Sequence, residues 1–130
     1  MRPMGGGVGK TVLIVDDEPS IRLLCRVNLE LEGYRVLEAA SLGDARTVLD
    51  AEDVDVMLLD VHVGREHGYD LLDELRDGES SVAVALLSGS ATIDHRGDEA
   101  DAVIAKPFQL EELSSTVARL ASRLRNGERT

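Results

Sequence analysis

The 130-residue chain is poor in aromatic residues and in positive charge. Aromatics make up only 2% of the sequence, so its core must be built from Leu, Val, Ile and Ala. There are 14 Lys and Arg against 25 Asp and Glu, and the resulting formal charge of −11 opposes contact with phosphate backbones and anionic lipids. We therefore expect no direct nucleic-acid binding by this chain and no membrane attachment.

Cysteine and long apolar runs are also scarce. Cys25 is the only cysteine, and its apolar, helix-spaced neighbours favour a small buried side chain in a reducing cytoplasm over a reactive thiol. Apolar runs such as "VAVALL" are far too short to span a bilayer. The first residues, "MRPMGGGVGK", lack the apolar stretch of a secretory signal. These features predict a cytoplasmic protein.

Short apolar segments alternate with segments of helical periodicity along a chain long enough for one domain. The predicted strands are residues 11–15, 34–39, 54–59, 82–87 and 102–105. Strands without polar alternation are usually covered on both faces, as in a parallel sheet. The pattern predicts a doubly wound α/β fold with right-handed crossovers.

Helix signals fill the intervals between these strands. Pro19 suits a first helical turn and Gly33 ends that helix, while Ser41 with Asp44 resembles a capping box before the second. Leucines near residues 71–75 and 110–124 mark two more helices, whereas 91–99 predicts only a short or irregular fourth helix. We expect a glycine-rich leader at 1–9, the domain at 10–124 and a tail at 125–130.

Polar side chains follow four of the predicted strands. In a doubly wound fold the ligand site lies beyond the carboxyl ends of the strands. The residues at those ends are Asp16, Asp17, Asp60, Ser88 and Lys106. Three carboxylates in one place repel one another, and a hard cation bound by oxygen ligands, such as Mg²⁺, relieves that repulsion. A lysine and a hydroxyl in the same place would serve a bound phosphoryl group.

The glycine-rich stretch "GGGVGKT" at 5–11 offers a competing hypothesis, a phosphate-binding loop of a small nucleotide-hydrolysing enzyme. Such a loop joins a strand to a following helix, whose N-terminus helps to bind phosphate. Here only "MRPM" precedes the glycines and a predicted strand follows them. A flexible leader is therefore the better interpretation.

The three histidines, His62, His67 and His95, do not match a standard metal-ligand spacing. Because His62 and His67 fall on what reads as an irregular loop, solvent-facing side chains are a better interpretation than a transition-metal site.

Four motifs together resemble the receiver domains of response regulators in two-component signalling. They are "VLIVDDEP", "VMLLDVHVGREHG", "ALLSGSA" and "AKPF", in family order and on the matching elements. The resemblance covers roughly residues 10–124. It implies a five-stranded parallel sheet of flavodoxin-like order 2-1-3-4-5 and a signalling domain rather than an enzyme.

The resemblance also implies a role for each residue. Asp60 would accept a phosphoryl group from a histidine kinase or a histidine phosphotransfer protein and then switch a downstream partner. Mg²⁺ would be bound by Asp17, Asp60 and the backbone carbonyl of His62, and by Asp16 mainly through water. Ser88 and Lys106 would contact the phosphoryl group, across a cis Lys106–Pro107 bond, and no organic cofactor is implied.

Two departures from the family pattern concern the loop after Asp60 and the output switch. Gly64 replaces a usual proline and predicts a looser loop after Asp60, and Val103 replaces the usual Tyr or Phe of the output switch. An alternative function is a receiver-like interaction module that acts independently of phosphorylation. The presence of all five polar residues together favours a receiver domain that acts through phosphorylation.

Overall fold

The computed structural model describes residues 9–89 and 99–125, with side chains described as far as Ser122. The leader up to residue 8, the 90–98 stretch that holds most of the expected fourth helix, and the tail from residue 126 lie outside the described residues. The elements are β1 Thr11–Val15, α1 Pro19–Leu31, β2 Arg35–Ala39, α2 Leu42–Ala51, β3 Val56–Asp60, β4 His62–Val63, β5 Glu66–His67, α3 Gly68–Asp77, β6 Ala83–Ser88, β7 Ala102–Ala105 and α4 Leu110–Arg125.

The main sheet is parallel, with strand order β2-β1-β3-β6-β7. Numbering only its five strands gives the order 2-1-3-4-5, so the predicted doubly wound fold is confirmed. Every residue of β1, β3 and β6 is buried, which explains why these strands lack polar alternation.

Two apolar clusters cover the two faces of the sheet. One packs α1 and α4 against alternate strand residues, with Cys25, Leu29 and Leu113 fully buried. The other packs α2 and α3 against the opposite face through Leu42 and Leu72. The core is almost entirely aliphatic, as the scarcity of aromatics requires. Of the described helices, none is long and apolar enough to cross a membrane.

Helix α1 begins at Pro19, directly after the acidic pair, and ends before Gly33, as predicted. Beside its buried face it carries an exposed apolar stripe, defined here as Leu23, Leu24, Val27 and Leu31, with exposed fractions of 43–72%. Ser41 caps α2 as predicted, because its Oγ accepts a hydrogen bond from the Asp44 amide at 3.0 Å.

The prediction of a loose loop after Asp60 is wrong. Residues 62–67 form a short antiparallel hairpin in which His62 pairs with His67 and Val63 with Glu66. Gly64 has φ +61° at the first turn position, which is the conformation that a two-residue type II′ turn requires. Glycine therefore replaces proline here to build a tight turn.

Gly68 closes this hairpin against the end of β3. Its amide donates a 2.6 Å hydrogen bond to the Val61 carbonyl, and a Cβ on Gly68 would collide with the backbone carbonyl oxygen of Asp60. Backbone cannot move aside as a side-chain tip can. The glycine that ends the "VMLLDVHVGREHG" motif thus has a steric reason in this chain.

We predict that Gly68→Ala destabilises the fold by about 1–3 kcal/mol, since overpacking a filled position forces the backbone to shift. Gly43 is a matched control in α2, where a new Cβ meets only Ser41 Oγ at 3.9 Å. Urea unfolding should show Gly43→Ala neutral or slightly stabilised. Equal stability of the two variants would contradict the steric account.

Candidate functional site

Strand register brings four of the predicted site residues to one edge of the sheet. Val15 pairs with Leu59, so Asp16 and Asp60 leave neighbouring strands side by side. The β3–β6 pairing ends at Asp60 opposite Leu87, which puts Ser88 one step beyond. Ser88 in turn pairs with Ala105, and Lys106 follows it. The site is a direct consequence of where the apolar runs end.

Carboxylate oxygens of Asp16, Asp17 and Asp60 all lie within 4.8 Å of one another. Asp16 is fully buried, Asp60 is 8% exposed and Asp17 is exposed. At 4 Å and an effective dielectric constant of about 20, two such charges repel by about 4 kcal/mol. A positive charge is therefore needed nearby.

Lys106 supplies that positive charge. Its ammonium lies 2.9 Å from Asp16 Oδ2 and 2.9 Å from Asp60 Oδ2, which bridges β1 and β3. The Lys106 amide also donates to the Ser88 carbonyl at 2.7 Å, which fixes the start of the loop after β7. The Lys106–Pro107 bond is cis, as predicted from the resemblance.

Backbone amides hold the remaining carboxylate oxygens. The Glu18 amide donates to Asp16 Oδ1 at 2.9 Å, and the His62 amide donates to Asp60 Oδ1 at 3.1 Å. Both oxygens of each buried carboxylate thus have a donor. The Asp17 carboxylate, by contrast, has no hydrogen bond to any described residue, so it is the one most open to an incoming ion.

Arg22 was not anticipated as a site residue. Its Nη1 donates to the Asp16 backbone carbonyl at 2.7 Å, and its Nε donates to Glu38 of β2 at 3.0 Å. Arg26 donates to the same Glu38 carboxylate and lowers its pKa. No sequence pattern indicates this contact, because it depends on β2 lying next to β1.

Burial and pairing act in opposite directions on the two central charges. Burial raises the pKa of Asp60, although hydrogen bonds from Lys106 and His62 act to lower it. Burial acts to lower the pKa of Lys106, but its hydrogen bonds to Asp60 and Asp16 more than offset this, so that pKa is raised. Lys106 therefore remains a cation at neutral pH.

The donor set fits Mg²⁺. It consists of carboxylate oxygens only, and one of the three carboxylates is exposed and so accessible to the water molecules that Mg²⁺ keeps. Asp17 has no hydrogen bond to a described residue and is free to bind directly, whereas Asp16 and Asp60 each have both oxygens engaged and would have to give up a donor to bind an ion directly. No histidine of the described residues joins this carboxylate group.

The structure also bears on the sequence interpretations of the glycine-rich stretch, of Cys25 and of the histidines. Lys10 and Thr11 lead into β1 and not into a helix, so the phosphate-loop hypothesis fails on topology. Burial raises the pKa of the Cys25 thiol to about 11, consistent with an inert core residue. His62 and His67 are exposed as expected, but they lie on the hairpin and not on an irregular loop.

The profile of the response regulator receiver domain matches residues 12–118. The chain belongs to this family. It is 38% identical over 128 residues to the phosphate regulon transcriptional regulatory protein PhoB of Pseudomonas aeruginosa. The match covers 91% of this chain and 53% of that protein. It is 35% identical over 121 residues to the probable transcriptional regulator ycf27 of Cyanophora paradoxa, covering 90% and 50%. The receiver chain thus spans about half the length of these curated relatives.

Solved receiver structures agree with the fold. A CheY-like receiver domain protein from Methanospirillum hungatei superposes with a TM-score of 0.83 at 25% identity, covering 91% of this chain and 98% of that one. The response regulator TrrA of Thermotoga maritima, solved in complex with Mg²⁺ and BeF, gives a TM-score of 0.79 at 29% identity, covering 85% and 98%. TrrA has also been solved in complex with the histidine kinase ThkA.

We predict that Lys106→Met destabilises the protein by about 3 kcal/mol at neutral pH, because it leaves two adjacent buried carboxylates without their cation. Mg²⁺ should restore part of this loss by supplying positive charge to the same oxygens. Lys10→Met, at the chain's only other lysine, is the control and should stay within about 0.5 kcal/mol of the wild type. Thermal unfolding with and without Mg²⁺ measures both effects, and an unaffected Lys106→Met would contradict the bridging role.

Proposed function

We propose that this receiver domain takes a phosphoryl group onto Asp60 in the cytoplasm, with Mg²⁺ bound by the neighbouring carboxylates, and thereby switches a protein partner. The receiver comprises residues 10–124 in this proposal. The observation that carries it is the placement of Asp60 at the carboxyl ends of the strands. Its carboxylate lies 2.9 Å from the Lys106 ammonium and within 4.8 Å of the exposed Asp17 carboxylate.

The reaction is a displacement at phosphorus. A carboxylate oxygen of Asp60 forms the new P–O bond while the P–N bond of a donor phosphohistidine breaks, and its electron pair returns to the imidazole nitrogen. Such a transfer needs alignment and charge neutralisation more than acid–base chemistry. Because Asp60 supplies the nucleophile, the domain promotes its own phosphorylation. In its dephosphorylation water forms the new P–O bond, the P–O bond to Asp60 breaks, and Asp60 leaves as a carboxylate.

Each neighbouring residue has a part in this proposal. Asp17, Asp60 and the His62 carbonyl would hold Mg²⁺, with Asp16 acting mainly through water, and the ion would neutralise charge on the transferred group. Lys106 would exchange its contact with Asp60 for one with a phosphoryl oxygen. Ser88, which is 2% exposed at the end of β6, would move toward the phosphoryl group and donate a hydrogen bond from its hydroxyl to a phosphoryl oxygen.

A protein donor is favoured by the exposed stripe on α1. Four apolar side chains in water are costly unless a partner covers them, and α1 begins two residues after Asp17. A histidine kinase or phosphotransfer protein resting on this stripe would carry its phosphohistidine close to Asp60. The TrrA–ThkA complex supports this class of donor.

The output is proposed to be a protein contact or an attached domain. The curated relatives named above are transcriptional regulators about twice as long as this receiver, and any nucleic-acid contact would belong to such an additional domain. The net charge of −11 opposes a direct contact by the receiver itself. Val103 on β7 is 44% exposed and offers no aromatic ring for the usual switch.

We predict that the wild-type chain gains the mass of one phosphate when incubated with acetyl phosphate and Mg²⁺, and that Asp60→Asn gains none. An amide is isosteric with the carboxylate but does not supply the anionic nucleophile. Intact-protein mass spectrometry makes the measurement, with Asp53→Asn as the control. Asp53 is exposed and precedes the first residue of β3, whereas Asp60 is the last residue of that strand.

Phosphate uptake by Asp60→Asn would place the acceptor elsewhere. Absence of uptake by the wild type, together with binding to a partner that is unchanged by donor, would favour the alternative, a constitutive interaction module.

A further inference from the structure

The hairpin after Asp60 brings together two imidazole side chains that the proposed phosphotransfer chemistry does not use. His62 and His67 are directly paired across β4 and β5, and both are exposed. Their ring centres lie 5.4 Å apart, with an angle of 62° between the ring planes. A separation of five residues in sequence gives no ligand pattern, so only the hairpin reveals the pair.

The hairpin that carries the rings is anchored at several points. The His62 amide is bound to Asp60 Oδ1, and Glu66 Oε1 accepts a 3.1 Å hydrogen bond from the Leu42 amide at the start of α2. Between them, Val63 is buried at 1% exposure. The backbone under both imidazoles is thus fixed, and an ion binding to them would have to order only side-chain rotations.

The spacing of the rings suits a shared ion. An ion bound 2.0–2.1 Å from an imidazole nitrogen lies about 3.2 Å from that ring's centre, so a tetrahedral angle at the ion puts two ring centres about 5 Å apart. The observed separation of 5.4 Å is close to this value. Small rotations of two exposed side chains would bring one nitrogen of each to the ion.

We propose that His62 and His67 form a two-histidine site for a divalent transition-metal ion, with Zn²⁺ as its probe. Imidazole nitrogens favour Zn²⁺, Cu²⁺ and Ni²⁺, whereas the carboxylates of Asp16, Asp17 and Asp60 favour Mg²⁺. The two remaining positions on the ion are taken by water. The site is thus chemically distinct from the carboxylate cluster, although His62 is only two residues from Asp60.

The competing explanation is that the rings only stabilise the hairpin as a cross-strand pair. Edge-to-face contacts between paired side chains stabilise short hairpins by a fraction of a kcal/mol. Metal affinity separates the two explanations, because a contact between rings predicts no selective binding of Zn²⁺.

Isothermal titration of Zn²⁺ into the full chain, in millimolar Mg²⁺ that competes for the carboxylates, tests the site. We expect one Zn²⁺ per chain, bound at least about tenfold more weakly by His62→Gln and by His67→Gln. Loss of a residue that only supports a metal ligand already weakens metal binding by about tenfold or more, and loss of a ligand itself should cost no less. His95→Gln should bind as the wild type does. Unchanged melting temperatures would show that the variants remain folded.

Unchanged Zn²⁺ affinity in His62→Gln and His67→Gln would overturn the proposal, as would an equal loss in His95→Gln. Loss of the Zn²⁺ site in Asp17→Ala would place the ion among the carboxylates and would also overturn it. Because no phosphoryl donor is present, the result is independent of whether Asp60 is phosphorylated.

Discussion

The contact of Lys106 with both Asp16 and Asp60 is the interaction on which the site depends. Register alone places Asp16 and Asp60 side by side, and burial in a nearly aromatic-free aliphatic core makes their repulsion expensive. One ammonium at 2.9 Å from each makes that arrangement stable without a bound ion. The same contact leaves Asp17 without a hydrogen bond to a described residue, so in the proposed reaction Mg²⁺ and a phosphoryl group could enter without rebuilding the sheet.

Much of this arrangement was predictable because strand ends are encoded locally. The apolar runs that end at Val15 and Leu59 fix where Asp16 and Asp60 begin, and a doubly wound sheet brings those ends together. The hairpin was not predictable, since strands of two residues have no periodicity and a single Gly64 does not distinguish a tight turn from a loose loop. Arg22 was also missed, because its partner Glu38 is distant in sequence and adjacent only in the folded sheet.

The segment from Asp60 to Gly68 links the proposed acceptor to its surroundings. Gly68 must lack a side chain to let the chain pass the Asp60 carbonyl, Val63 anchors the hairpin in the core, and Glu66 ties it to α2. Asp60 is therefore held by packing on one side and by Lys106 on the other. Such a fixed position suits the proposed transfer, which depends on alignment of the nucleophile as well as on charge neutralisation.

The most direct test of the account is the Mg²⁺ dependence of the melting temperature in the wild type and in Asp17→Ala. A ligand that binds only the folded protein raises its stability, and the proposal makes the exposed Asp17 carboxylate a direct ligand of the ion. The wild type and an Asp53→Ala control should therefore melt at a higher temperature as Mg²⁺ is added, while Asp17→Ala should show no shift. A shift in Asp17→Ala equal to that of the wild type would contradict the assignment of this carboxylate cluster as the magnesium site.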